Sequence, residues 1–282
     1  MSVNENQKIF DRIYRLKYED KEYYFEEIIK DAILKELTKD MGTAEAIAAS
    51  RLNRLWNQYK REHEKDINNG IVPLFSITNE YDKKVRWIGN TLISKVQRQN
   101  YKIRPDLYKY LDSLNDREYE LLLYVICELL GADKIYLTPK GNEGGIDFIA
   151  RIPFSINSHF LFGIKGPIRI IGQCKQYSSK DNVGHMKEFI TTMNNVYNRS
   201  YRVGEILPDW FKIENGDIIG WHISNCGHQS GALDFAKNYG ILVSDSKQLI
   251  EIICTAKRIR RQSNPIKYLK SRMVEDNYTY KN

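Results

Sequence analysis

From Pro105 onward, short apolar runs alternate with stretches whose apolar residues recur at helical spacing. That alternation confines the chain to a sheet layered between helices. A short helix is expected from Pro105 to Leu111 and a second from Asp116 to Leu130, with Tyr119, Leu122, Leu123, Ile126, Leu129 and Leu130 on one face and Gly131 closing it. Strand-like runs follow at Lys134 to Thr138, Gly145 to Ile152 and Ile168 to Gln176, with Pro139-Lys140-Gly141-Asn142 turning the chain between the first two. The pattern continues with a helix from Asn182 to Tyr197, a strand from Asp217 to Ser224 and a helix from Gly231 to Asn238. A short strand from Ile241 to Ser244 and a final helix from Ser246 to Arg260 complete it. An early strand pair followed by alternating helices and strands implies an α/β fold, a mixed sheet covered on both faces.

The first hundred residues read as helical. Ile9, Phe10, Ile13 and Tyr14 recur at helical spacing, as do Phe25, Ile28, Ile29, Ala32, Ile33 and Leu37. Met41-Gly42 interrupts the pattern, and Thr43 is the expected N-cap of a helix from Ala44 to about Lys65. Asn68-Asn69-Gly70 ends that helix, and a further one is expected from Lys83 to about Gln99. The chain therefore divides into an all-α N-terminal domain (1–104), an α/β domain (105–262) and a basic C-terminal tail (263–282). No motif assigns the first part, leaving recognition, assembly or partner binding open to it.

Several classes are excluded early. No stretch reaches the roughly 18 apolar residues of a membrane span. The polar start, Met-Ser-Val-Asn-Glu-Asn-Gln-Lys, lacks an export signal core, so a cytoplasmic protein without membrane contact is expected. Cys127, Cys174, Cys226 and Cys254 are scattered and form no C-x-x-C pair, against a disulfide framework or zinc knuckle. His222, Cys226 and His228 lie close in sequence but lack a fourth ligand, which argues against zinc there. The net charge of +7 is modest, yet Lys257, Arg258, Arg260, Arg261, Lys267, Lys270 and Arg272 precede the next acid, Glu275. Such a cluster can attract a polyanion by releasing its counterions, or can simply be a solvated helix end.

The chemistry lies on the second and third strand-like runs of the α/β domain. Asp147 follows Gly144-Gly145-Ile146, and Gln173 and Lys175 lie in Ile171-Gly172-Gln173-Cys174-Lys175. Side chains two apart on a strand share a face, so Gln173 and Lys175 project together while Cys174 points into the opposite layer. If the two strands pair, Asp147 stands close to both. A carboxylate, a polar oxygen and an ammonium on one sheet suit phosphodiester hydrolysis. A hard divalent cation takes a carboxylate, a backbone carbonyl and waters, and lowers the pKa of its bound water.

Several ordered segments carry a resemblance: Tyr119-Glu120 through Leu129-Leu130-Gly131, then Glu143-Gly144-Gly145-Ile146-Asp147, then Gln173-Cys174-Lys175-Gln176-Tyr177, Val183-Gly184, Trp221-His222-Ile223-Ser224, and Ala232 to Ala236. With these the chain resembles the Mrr-type restriction endonuclease family of the PD-(D/E)-x-K nuclease superfamily, from about Leu111 to Ile253. The resemblance implies a restriction-endonuclease-like mixed sheet flanked by helices. It implies that Asp147 binds metal, that Gln173 replaces the usual Glu or Asp, and that Lys175 is the catalytic lysine. It further implies that Glu120 supports the metal or its water, with the Cys174 backbone carbonyl and Glu143 as further metal contacts. Replacing a carboxylate by Gln173 removes a charge whose attraction at about 4 Å is on the order of 4 kcal/mol at an effective dielectric of 20. Glu143 stands where an Asp is usual, and an inserted loop from Pro153 to Pro167 separates the two strands.

The function so implied is a Mg2+-dependent endonuclease, with Mn2+ as a substitute, that hydrolyses DNA in bacterial restriction or antiphage defence. DNA is the expected partner, with Lys257, Arg258, Arg260, Arg261 and His185 as candidate nucleic-acid contacts. Cutting both strands takes two active sites, so a homodimer or larger assembly is expected, with other defence-system subunits as further partners. Two other classes remain open: a non-cleaving DNA-binding module on the same fold, and an RNA-directed or ligand-activated nuclease effector.

Overall fold

Asn115, one residue ahead of an apolar stripe, accepts a hydrogen bond from the Glu118 N–H, and Glu118 answers with its side chain on the Asn115 N–H. This reciprocal cap starts one helix that carries the site. The computed structural model describes residues 5–87, 98, 101–139, 145–153, 167–177, 179–198, 207–208, 210–211 and 217–273. It divides into two compact units, residues 1–109 and 110–282.

The first unit contains helices α1 (Glu5–Arg15), α2 (Phe25–Glu36) and α3 (Met41–Asn68), which bury Ile9, Ile13, Ile28, Ile29, Leu55 and Trp56 among one another. Helix α3 begins at Met41 rather than Ala44 because Asp40, not Thr43, is its cap, accepting from the Thr43 N–H at 2.7 Å. The unit is predominantly helical and adds a small antiparallel sheet that the periodicity did not reveal. Its strands are β1 (Glu22–Tyr24), β2 (Phe75–Asn79) and β3 (Lys84–Trp87), in the order β1-β3-β2. The expected helix from Lys83 thus starts as a strand. Val85 and Trp87 are both buried while Arg86 between them is exposed, which is the period of a strand. The rest of that expected helix, apart from Arg98, lies outside the described residues until Tyr101. The Tyr59 hydroxyl locks α3 to β2, donating to the Phe75 carbonyl at 2.7 Å and accepting from its N–H at 3.0 Å.

After α4 (Arg104–Asp112) comes α5 (Asp116–Leu129), whose end is turned by Gly131 at a φ of 94°. The second unit then builds a five-stranded sheet from β4 (Lys134–Leu137), β5 (Phe148–Ile152), β6 (Ile168–Lys175), β7 (Ile218–Ser224) and β8 (Leu242–Ser244), in sequence order across the sheet. The first two pairings are antiparallel and the last two parallel, giving the mixed sheet expected. The parallel pairs require crossovers, supplied by α6 (Val183–Tyr197) and α7 (Ser230–Asn238). Met186, Phe189 and Met193 of α6 pack on Ile149 and Ile171 of one sheet face. Helix α8 (Ser246–Thr255) stops short of the expected Arg260 because Ala256 is extended, and a single 3-10 turn follows at Ile259–Arg261. The expected tail is folded in its first half. Helix α9 (Pro265–Arg272) starts with Pro265 behind the cap Asn264, buries Leu269 and pairs Arg272 with Glu128 of α5 at 2.6 Å.

Gly172 sets the spacing of β5 and β6. A Cβ there would stand 2.0 Å from Cζ of Phe148, which is fully buried and meets the Trp221 ring edge-on at 5.9 Å. Gly172→Ala is therefore expected to destabilise the second unit by about 1–3 kcal/mol or more through overpacking. The measurement is a denaturation midpoint, and pairing the change with Phe148→Leu should recover part of the loss.

Candidate active site

Asp147 lies one residue before β5 and is held on three sides. Its N–H donates to the Gly172 carbonyl at 2.9 Å, and its carbonyl accepts from the Thr138 N–H at 3.1 Å. Its side-chain Oδ2 accepts from the Cys174 N–H at 2.6 Å. The antiparallel register that pairs Phe148 with Gly172 brings these segments together. The carboxylate of Asp147 is therefore fixed to the backbone between Gln173 and Lys175.

Gln173 is buried at 6% exposure, and its Nε2 is 3.4 Å from the position a Cβ on Gly145 would occupy. Gly145 has a φ of 75°, and the same Cβ would stand 2.8 Å from the Thr192 hydroxyl of α6. The glycine before Asp147 thus lets the chain cross close over Gln173 and α6, in a conformation that other residues rarely adopt. Lys175 ends β6, half-buried, one step beyond Cys174.

Glu120 approaches from α5. Its Oε2 accepts from the Arg117 guanidinium at 2.6 Å, and the same guanidinium reaches the Thr138 carbonyl at 3.1 Å. The Thr138 hydroxyl in turn donates to the carbonyls of Ile146 and Asp147, at 2.7 and 3.1 Å. Arg117 thus ties Glu120 to Thr138, a contact that the sequence alone did not single out. The available signal was a cation three residues before Glu120 on the same helix, a spacing at which side chains meet.

The electrostatics tie these groups together. Burial pushes the Asp147 carboxyl above the usual carboxylate range, against the Cys174 N–H and the charges of Lys175 and Arg117, which pull it down. Burial likewise raises Glu120, with Arg117 opposing and the Asp147 charge adding to the rise. Burial raises the Cys174 thiol far above its ordinary value, and the Asp147 and Glu120 charges push the same way. The charges of Asp147 and Glu120 thus act on one another and on the Cys174 thiol, while those of Lys175 and Arg117 act on Asp147. Two neighbouring acids that cost energy to ionise together form a donor set that a hard divalent cation relieves. Glu143 lies outside the described residues.

The other candidates are placed differently. His185 opens α6, but its Nδ1 bonds Asp181 Oδ1 and its ring stacks on Tyr177 at 5.0 Å, so it is already engaged within the fold. Lys257, Arg258, Arg260 and Arg261 are grouped around the 3-10 turn, all exposed, and none pairs with an acid among the described residues. Cys226 does not join the histidines, since its Sγ donates to the Tyr177 carbonyl at 3.0 Å. Asp181 joins His222 and His228 instead, in a group whose ligand atoms all lie within 4.8 Å of one another. Burial pushes His222 down to about 4, partly offset by the Asp181 charge, and lowers His228 as well.

Residues 111–204 match the family model Mrr_cat, restriction endonuclease. The resemblance seen in the sequence is thus shown for this segment, and it supports a nuclease. Similar solved structures include "MspJI Restriction Endonuclease in Complex with 27-mer Oligonucleotide", at 16% identity and a TM-score of 0.39 over 69% of this chain and 41% of that one. Another is "DNA modification-dependent restriction endonuclease AspBHI", at 11% identity and a TM-score of 0.40 over 64% of this chain and 40% of that one. The chain spans about two fifths of the length of each. No curated protein matches it. Among the described residues no helix is long and apolar enough to cross a membrane.

Proposed function

We propose that the second unit is a Mg2+-dependent endonuclease that hydrolyses phosphodiester bonds in DNA, with Mn2+ able to replace Mg2+. The observation that carries this reading is the Asp147 carboxylate, fixed at 2.6 Å to the N–H of Cys174, the residue between Gln173 and Lys175. Asp147 and Glu120 would hold the cation, with the Cys174 carbonyl as a backbone ligand. When bound, the cation supplies Lewis acidity and a water of lowered pKa. Lys175 would orient the attacking water against the phosphate and balance charge on its equatorial oxygens. Gln173 contributes no charge, so Glu120 carries the share that a second strand carboxylate would have supplied. Arg117 would hold the Glu120 carboxylate in place through their 2.6 Å hydrogen bond.

The wider setting follows the same proposal: a cytoplasmic enzyme of bacterial restriction or antiphage defence, acting as a homodimer or larger assembly. The first unit then serves recognition, assembly or contact with another defence subunit. A non-cleaving DNA-binding module is the second reading, favoured by the neutral, buried Gln173 where the family has a carboxylate. Purified protein incubated with plasmid, linear duplex, single strands and RNA, in Mg2+, Mn2+ or EDTA, separates the two. Metal-dependent cutting of DNA is the expected result, whereas tight binding without cutting in every condition supports the second reading.

The exposed cations near Ile259 make a separate, smaller prediction. Arg260→Glu with Arg261→Glu should weaken duplex binding equally across sequences. The slope of log affinity against log salt should fall by about 0.9 for each phosphate that the variant no longer neutralises. Fluorescence anisotropy at several salt concentrations measures both.

A further inference from the structure

We propose that Asp181, His222 and His228 form a binding site for a divalent transition-metal ion of the zinc class, separate from the Asp147 and Glu120 pair. Asp181 and His222 are 1% and 0% exposed, and His228 is 8% exposed. Asp181 Oδ2 and His222 Nε2 stand 3.5 Å apart, and neither makes a hydrogen bond to the described protein. Leaving two such atoms buried together and unbonded is costly, whereas one cation satisfies both. Zinc bonds to nitrogen and carboxylate oxygen at about 2.0–2.2 Å, which sets tetrahedral ligands roughly 3.4 Å apart. The separation of Asp181 and His222 already fits that figure. One ligand atom from each of the three residues falls within 4.8 Å of the others; His228 Nε2 now lies 3.0 Å from His222 Nδ1, so His228 must give up that contact and turn toward the Asp181 side to complete the set. Two imidazoles and one carboxylate select zinc-class ions over Mg2+, which takes oxygen ligands.

The surroundings are arranged for such an ion. His185 Nδ1 holds the other carboxylate oxygen of Asp181, the outer partner that orients a ligating carboxylate. The backbone is pinned independently: the Asp181 N–H donates to the Gly227 carbonyl at 2.9 Å, and the Asp181 carbonyl accepts from the Gln229 N–H at 2.8 Å. In register, His222 lies opposite Gln173, and Ser224 lies opposite Lys175. The ion would therefore cross-link the loop that leaves β6 to the strand beside it, with water in the fourth position that three protein ligands leave open.

The test is a Co2+ titration of metal-free, full-length protein followed by visible absorption, with Zn2+ affinity then measured by competition. A ligand-field band that saturates at one equivalent and is displaced by Zn2+ is expected. His222→Ala and Asp181→Asn should abolish the band, while Asp147→Asn should leave it intact. His185→Ala should weaken Zn2+ binding by about 10–100-fold, as loss of an outer partner does. Should His222→Ala fail to fold, the wild-type titration and His185→Ala decide. Absence of a saturable band in the wild type overturns the site, as does a band that survives His222→Ala and disappears in Asp147→Asn. Because the readout is binding, a failure of nuclease activity leaves this result standing, and the reverse also holds.

Discussion

Lys175→Ala is expected to lower metal-dependent DNA cleavage by about 100- to 1,000-fold while leaving duplex binding within a few-fold of the wild type, as removal of one preorganised transition-state contact does elsewhere. Lys175 is at the end of β6, where its charge already acts on Asp147. Its removal leaves the two acids and their hydrogen bonds in place, so the fold and any cation they hold should persist. Single-turnover cleavage read beside anisotropy separates the effects. Equal losses of binding and cleavage would mean that Lys175 merely attracts the polyanion.

Asp147→Asn is expected to remove cleavage to the detection limit and, in EDTA, to leave thermal stability equal to or above that of the wild type. The sign follows from the raised carboxyl. A group whose folded pKa lies above its unfolded value binds protons more tightly when folded, so the fold gains stability as pH falls through that pKa. Near neutral pH the ionised Asp147 is instead a net cost to the fold, because burial outweighs the Cys174 N–H and the Lys175 charge. Asn keeps an acceptor for the Cys174 N–H and drops the buried charge. The same direction predicts an acid limb in the rate profile. Protons should compete with the cation for Asp147 and Glu120, so the Mg2+ concentration needed for half-maximal cleavage should rise as the pH falls. Melting curves in EDTA, set beside cleavage rates from pH 5 to 9, measure the pair of effects. A large drop in stability on Asp147→Asn would place the residue in a structural role.

The parts of this molecule legible from sequence are those governed by local rules. Helix α5 is announced by Asn115, by its apolar stripe and by Gly131, and the structure realises each of them. The order of strands and helices after Lys134 likewise follows from runs of one period ended by turn residues. The sheet of the first unit escaped because its strands are only three to five residues long, too short for alternation to stand out from helical spacing. Helix α9 was hidden by its charges, since a single buried residue, Leu269, anchors it. At the candidate site, Asp147, Gln173 and Lys175 were singled out through motif order, and strand pairing sets Asp147 against the backbone of Cys174. Arg117 was missed because its role depends on Thr138, a contact that only the fold creates. Asp181 was missed for the same reason: it meets His222 only through the parallel pairing of β6 and β7. Along the chain Cys226 stands between the two histidines, whereas the acid nearest them in space arrives from the loop after β6.

The most direct measurement is the anomalous scattering of Mn2+ in crystals of the protein with duplex DNA. The account predicts a peak between the carboxylates of Asp147 and Glu120, with ligand oxygens at about 2.0–2.2 Å and Lys175 facing the same phosphate, and no such peak in Asp147→Asn. A peak that avoids both acids, or a phosphate bound out of reach of Lys175, would contradict it.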